Sequence, residues 1–286
     1  MIASIIFYVV VAVQLWLISH FYANRVTKNM QHVSDNYSEQ EYPKLYPKSK
    51  SHYLRIQKLF KVANRTVLSL GILALSVLIY GDITEGYKPP NVAAAIIFML
   101  QLAPFGLLEL TEYNYFNEMR KQLHKPTRTS SLSRRSLTNY LTPIQLWLGV
   151  ILMVVAITSD LLVHQAEEPF LLGMNESALY RSITLVVCNL LMLGIALKNI
   201  FGKKPDPFQH DDDRQYQTQQ TVVTLFYLCL CISFFFLLKS VLIGTGAEGF
   251  EAVATAIYSI VIAYVSVGHR VRCINLTKID FNAYKA

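Results

Sequence analysis

Seven apolar runs alternate with polar segments along this chain of 286 residues. Each run has about 20 residues, the length that an α-helix needs to cross the hydrocarbon core of a bilayer. The pattern therefore predicts an all-α membrane protein, with seven transmembrane helices in a single polytopic domain that covers residues 1–286. The predicted spans are residues 3–21, 62–80, 92–110, 143–163, 182–201, 221–243 and 252–267.

The basic segments between these runs predict the orientation of the chain. The segment from Arg120 to Arg135 contains six Lys or Arg residues and no acidic residue. Because such loops stay on the cytoplasmic side of a membrane, this segment is expected inside, and the same assignment places 23 of the 26 Lys and Arg residues there. The sequence thus predicts an outside N-terminus and a cytoplasmic C-terminus, with one lone helix followed by three in–out–in hairpins.

Composition narrows the possible functions. Charged residues make up only 16% of the chain, against roughly 25% in a soluble domain. The net charge of +7 is accounted for by the inner segments, so it indicates membrane topology and no nucleic-acid binding. The expected partners are the lipid bilayer, its anionic lipid head groups, and a membrane protein partner or a second copy of the chain.

The two large inner segments, residues 22–61 and 111–142, form the predicted contact surface. Basic side chains there are attracted to anionic head groups. Pro43 and Pro47 argue against one continuous helix through the first segment, and Leu54–Phe60 is predicted as a short amphipathic helix at the inner surface. The candidate lipid or partner contacts are Arg120, Lys121, Arg128, Arg134 and Arg135.

Uncharged polar residues occupy the middle of three spans, at Gln14, Gln101 and Asn189. Pro104, one turn after Gln101, should kink its helix and free a carbonyl group. These four residues are the candidate path for a small solute or ion. Since transporters usually place ionisable groups at this depth, transport is the second hypothesis.

Ionisable residues near the span ends are expected to pair with one another. Glu109, near the inner end of the third span, is the candidate structural partner of Arg65 in the second. Asp160, Arg181 and Lys239 lie near the outer boundary, where structural pairing is favoured over a transport pathway.

Two groups of histidine and aspartate residues can be explained either as a ligand site or as structural residues. His20 and His269 lie at the inner boundary, where a histidine pair is a possible haem ligand set or a pair of interface residues. His210 and Asp211 begin an acidic run that suits either a metal or the N-terminus of a helix. In both cases the structural explanation is favoured, so no cofactor, metal site or catalytic site is predicted.

The last span carries small residues at intervals of four and three positions. Such a stripe lets another helix approach closely in lipid. A contact within the chain is favoured over a dimer interface. The residues are Ala252, Ala256, Ser259, Ala263 and Ser266.

Two connectors, TRTSSLSRRSLTNYLTP at 127–143 and NIFGKKPDPFQHDDDR at 199–214, resemble those of a family of uncharacterised multi-span proteins of bacterial inner membranes. The resemblance covers about a third of the chain and implies a bacterial inner membrane, with no activity attached. The seven-span topology is also similar to that of small sugar facilitators of three-plus-one-plus-three build, although the chain shows no matching half-repeat. The leading hypothesis is a non-enzymatic scaffold or accessory module, and the alternative is a facilitator of a small solute or ion.

Overall fold

The computed structural model describes residues 2–121, 135–164, 176–273, 276 and 279–285. These residues form helices joined by turns, and none of them lies in a strand. Seven helical stretches are long and apolar enough to cross a membrane. The predicted all-α fold with seven spans is therefore confirmed.

The helices extend beyond the apolar runs. The α-helices are α1 (Ile2–Leu15), α2 (Ala23–Asn36), α3 (Lys50–Glu85), α4 (Ala93–Lys121), α5 (Pro143–Val163), α6 (Glu176–Phe201), α7 (Asp211–Gly244), α8 (Glu251–Ala263) and α9 (His269–Cys273). Two π-helical turns, Trp16–Tyr22 and Tyr264–Gly268, join α1 to α2 and α8 to α9. The first and last spans are thus continuous helical rods that contain a local change of pitch.

Local sequence signals explain several helix ends. At the start of α5, the Thr142 hydroxyl accepts from the main-chain N–H of Gln145 at 3.3 Å, and Gln145 Oε1 accepts from that of Thr142 at 2.8 Å. This reciprocal cap, followed by Pro143 at the first helical position, fixes the entry of the chain. At its far end, α3 stops at Gly86, whose φ of 64° is the left-handed conformation that glycine adopts without strain.

The acidic run before the sixth span has the structural role that the sequence favoured. Asp211, Asp212 and Asp213 form the first turn of α7, where carboxylates interact favourably with the helix dipole.

The separate amphipathic helix predicted at Leu54–Phe60 is wrong, because these residues belong to α3. No proline or glycine interrupts the chain between Lys50 and Gly71, so the helix runs on without a break. Its 36 residues reach about 54 Å at 1.5 Å per residue, well beyond a hydrocarbon core of about 30 Å. Pro43 and Pro47 lie in the break between α2 and α3, as predicted.

The spans pack as two groups. The first group consists of α1, α3, α4 and α8, and the second consists of α5, α6 and α7, with α7 also contacting α8. Phe7, Val11 and Ala256 lie in the buried core of the first group, whereas Val222 and Phe226 lie in that of the second. The last span in the sequence therefore packs against the first three.

The small residues of α8 serve this packing. Ala252, Ala256, Ser259 and Ala263 are all buried, and α8 contacts α1 and α4. The predicted contact within the chain is confirmed. A side chain at Gly268 would overlap the hydroxyl group of Tyr22, so a larger residue where the two π-helical turns meet would force the Tyr22 ring to move.

Candidate functional site

Gln14 and Gln101 form a buried amide pair inside the first group of spans. Gln14 donates from Nε2 to Gln101 Oε1 at 2.9 Å, and both side chains are 0% exposed. Gln101 Nε2 lies 3.1 Å from Ser19 Oγ and 3.4 Å from the main-chain oxygen of Leu15. Gln101 thus bonds to the chain where α1 passes into its π-helical turn, a place where the regular ladder of helix hydrogen bonds is disturbed. Gln14 Oε1 is buried and has no partner among the described residues.

Asn189 lies apart from this pair. It is on α6, where Nδ2 donates to the main-chain oxygen of Leu185 at 2.9 Å and to Ser233 Oγ of α7 at 3.5 Å. Pro104 is buried within α4. Of the four residues of the predicted path, the structure therefore brings Gln14 and Gln101 into contact and places Asn189 in the other group of helices.

The predicted ion pair between Arg65 and Glu109 is also corrected. Glu109 pairs with Arg270, whose Nη2 lies 3.2 Å from Glu112 Oε2. Glu109 and Glu112 are one turn apart on α4 and so share a face, and α9 places Arg270 between them. Arg65 is exposed on α3.

A buried charge network ties the second group together at the end of the bundle opposite the basic segments. Arg181 Nε of α6 donates to both carboxylate oxygens of Asp160 of α5, at 3.1 and 3.0 Å. Ser240 of α7 donates to Oδ1 at 3.2 Å, and His164 Nε2 lies 2.9 Å from Arg181 Nη2. Asp160 is only 4% exposed, so the ion pair compensates a charge withdrawn from water. The expectation of structural pairing here is confirmed.

The other end of the molecule, which we call the basic end, contains residues 23–61, 111–121, 135–142, 202–214, 269–273, 276 and 279–285. Three arginines there donate to main-chain carbonyl groups at and after the end of α6: Arg120 to Lys204 at 2.8 Å, Arg135 to Ile200 at 3.5 Å, and Arg214 to Gly202 at 2.8 Å. The carbonyl groups at a helix C-terminus lack partners in the helix and favour cations. These arginines therefore fix the connector that follows α6.

The five predicted lipid or partner contacts thus divide into three kinds. Arg120 and Arg135 bond to the main chain of this protein. Lys121 is exposed and pairs with Glu118 at 2.8 Å. Arg128 and Arg134 lie outside the described residues.

The C-terminal tail packs against the basic end in an arrangement that the sequence did not indicate. Phe281 stacks on Tyr37 with ring centroids 4.0 Å apart, and Tyr284 is buried and donates to the carboxylate of Asp206. Burial and this carboxylate raise the pKa of Tyr284 above its ordinary value. The tyrosines of residues 37–53 were the available signal, but aromatic residues in a polar segment do not identify their partners.

The histidines have separate partners. His20 bonds to Asn24 at 3.2 Å, while His269 bonds to Thr224 at 2.7 Å and lies 3.4 Å from Cys273 Sγ. His210 lies 3.4 Å from Asp280. Within the described ranges, no three His, Cys, Asp or Glu side chains are grouped as metal ligands.

A stripe of cations follows the surface of α3 at the basic end. Its residues recur every three or four positions and so share one face of the helix. None of them forms an ion pair with another described residue, and Leu59 and Val62 beside them are 59% and 51% exposed. The stripe consists of Arg55, Lys58, Lys61 and Arg65.

The seven apolar helices and their many exposed large apolar side chains define a multi-pass α-helical membrane protein. Comparison with protein-family models, curated protein sequences and solved structures finds no match for the chain.

Proposed function

We propose that this protein is a non-enzymatic scaffold or accessory module of a membrane, and that its basic end is held on anionic lipid head groups. The observation that supports this most directly is the cation stripe of α3. Its four side chains have no ion-pair partner in the described part of the chain, which leaves them available to lipid phosphates. Each such cation near a membrane surface contributes about 1 kcal/mol.

The apolar residues between these cations fit the same role. Leu59 and Val62 are exposed beside Lys58 and Lys61. A Lys side chain can lay its stem along apolar surface while its ammonium group stays at the head groups. The stripe from Arg55 to Arg65 rises about 15 Å along the helix, which suits a crossing of the lipid head-group layer.

The pairing of polar groups favours a scaffold over a solute facilitator. Gln14 bonds to Gln101, Asn189 bonds to Ser233, and Asp160 bonds to Arg181. Each of these contacts joins two helices, so the polar groups act in helix packing. Flux of a solute through reconstituted protein that is abolished by Gln101→Leu without loss of folded protein would restore the facilitator hypothesis.

The proposed setting is a bacterial inner membrane, with the N-terminus outside and the basic end in the cytoplasm. The distribution of the Lys and Arg residues supports this orientation. Reporter fusions that are active only in the cytoplasm should give a signal when placed in the connector around residue 209. They should give none when placed at residue 86.

A membrane protein partner or a second copy is proposed to bind the basic end, with Arg128 and Arg134 in the contact set. Affinity purification from gently solubilised membranes, with mass spectrometry, tests this directly. A stoichiometric protein partner supports the accessory role. A protein recovered without partner or anionic lipid contradicts it.

The lipid contact is tested by native mass spectrometry of the purified protein with phosphatidylglycerol and phosphatidylcholine. Lys58→Gln and Arg65→Gln should each weaken phosphatidylglycerol retention about fivefold, as expected for about 1 kcal/mol. Lys88→Gln, which removes an exposed cation from the opposite end, is the matched control and should have no effect. Unchanged phosphatidylglycerol retention in the double variant would contradict the proposal.

A further inference from the structure

A cavity of about 390 Å³ lies at the basic end between α2, α3 and α4. Met30 of α2, Ile56 of α3 and Leu108 of α4 supply its apolar wall. This volume lies within the range of small-molecule sites, which are mostly apolar with a few placed polar groups. It is distinct from the α3 cation stripe on which the proposed function rests.

Three tyrosines line the cavity with their rings, because their hydroxyl groups are engaged elsewhere. Tyr46 donates to the main-chain oxygen of Tyr37 at 2.7 Å, and Tyr115 donates to that of Leu45 at 2.9 Å. The hydroxyl of Tyr53 accepts from the main-chain N–H of Lys48 at 3.2 Å. The three rings also contact one another, Tyr53 with both Tyr46 and Tyr115, so an occupant meets a cluster of aromatic rings, whose faces carry negative electrostatic potential.

Glu112 is the charged side chain among the cavity's described lining residues. It shares Arg270 with Glu109, so two carboxylates face one guanidinium group and one negative charge is left over. At the rim, the ammonium of Lys50 donates to the main-chain oxygen of Ser34, and its main-chain N–H donates to Glu39. Among the described residues that line the cavity, Glu112 is therefore the charged group that an occupant would meet.

We propose that this cavity binds an amphipathic organic cation, whose charged group lies by Glu112 and whose aromatic or aliphatic body lies among the tyrosine rings. A carboxylate combined with aromatic faces is the arrangement that recognises organic cations in proteins. The position at the membrane boundary lets such a molecule enter from the lipid head-group region, where amphipathic cations accumulate.

Equilibrium dialysis of the full-length protein in nanodiscs with labelled tetraphenylphosphonium tests the proposal. Tetraphenylborate carries the same four phenyl groups with the opposite charge and is the matched probe. Saturable binding of the cation with at least tenfold preference over the anion is expected. Equal binding of the two ions would show an apolar site without charge recognition and would overturn the proposal.

Variants of α4 locate the binding. Glu112→Gln keeps the side-chain shape and should weaken tetraphenylphosphonium binding about tenfold, or 1.4 kcal/mol. Leu108→Trp should block binding by filling the cavity, which keeps the test valid if the first variant is unstable. Glu118→Gln, on the same helix but outside the cavity lining, should bind as the wild type does. Undiminished binding in both cavity variants would show simple partition into lipid and would contradict the site.

Discussion

The side chains of Gln14 and Gln101, two residues that lie 87 positions apart in the sequence and on different spans, bond to each other at 2.9 Å. Both amides are fully buried in the first group of spans. In the hydrocarbon core of a bilayer, no water is present to hydrogen-bond an unpaired polar side chain. A pair of amides that bond to each other therefore holds two helices in one relative position.

Replacing Gln101 by Leu should destabilise the protein by about 1–2 kcal/mol, because it leaves the amide of Gln14 without its partner. The double variant Gln14→Leu/Gln101→Leu should lose less free energy of unfolding than the sum of the losses in the two single variants. Unfolding of the purified protein by detergent denaturation measures these free energies. Thr158→Val, at an exposed position bonded within its own helix, is the control, and strictly additive effects of the two Leu changes would contradict the coupling.

Asp160→Asn should destabilise the second group of spans by about 3 kcal/mol, since it leaves the Arg181 guanidinium without its carboxylate. The melting temperature of the purified protein reports this loss. Lys121→Gln breaks an exposed pair with Glu118 and should change the free energy of unfolding by less than about 1 kcal/mol. If both variants have the same melting temperature as the wild type, the network at Asp160 does not stabilise the bundle.

The docking of the C-terminal tail should depend on pH through Tyr284. Its pKa in the folded protein is raised above the ordinary value of about 10, so the neutral hydroxyl is the form that the folded state favours. The stabilisation is therefore complete below pH about 10 and declines as the pH rises toward the folded pKa. The protection of residues 37–46 against hydrogen exchange, relative to the base-catalysed rate of an unstructured chain, should fall over that range in the wild type.

Tyr284→Phe removes both the titrating group and its hydrogen bond to Asp206. This variant should show faster hydrogen exchange in residues 37–46 at neutral pH, with a smaller further increase above pH 10. Exchange identical to that of the wild type at every pH would show that the hydroxyl group does not hold the tail.

Gly268→Ala should destabilise the contact between the two π-helical turns by about 1–3 kcal/mol, the cost of overpacking a closed contact, because the added methyl group overlaps Tyr22. Gly194→Ala is a matched change in α6, where the added methyl group meets no atom within 4 Å apart from the adjoining backbone of its own helix. It should be neutral or slightly stabilising, since Ala favours helix more than Gly does. Thermal unfolding of the two variants in parallel distinguishes a specific contact from a general effect of removing glycine.

The spans were predictable from the sequence because the bilayer imposes a length of apolar helix that a run of residues reveals directly. Helix ends such as the cap at Thr142 and the turn at Gly86 also carry local chemical signals in the sequence. The continuation of α3 back to Lys50 was missed because hydropathy marks only the part of a helix that lies in lipid.

The contacts between spans could not be predicted from the sequence. Hydropathy indicates that Arg65 and Arg270 both lie near the ends of spans, but it does not indicate the direction in which each side chain points around its helix axis. For this reason the prediction that Arg65 pairs with Glu109 was wrong. Asn189 was grouped with Gln14 and Gln101 for the same reason, since residues at equal depth need not share a group of helices.

The contact of α1 with α8 has a consequence for biosynthesis. The first span enters the bilayer long before α8 has been synthesised, and spans four to six must be inserted in between. Throughout that interval the face of α1 that will meet Ala252 and Ala256 is covered only by lipid or by an insertion factor. The first group of spans can therefore be completed only after its first three spans have been inserted. A chain that stalls on the ribosome within α7 would lack α8, and its incomplete bundle would be exposed to the quality-control proteases of the membrane.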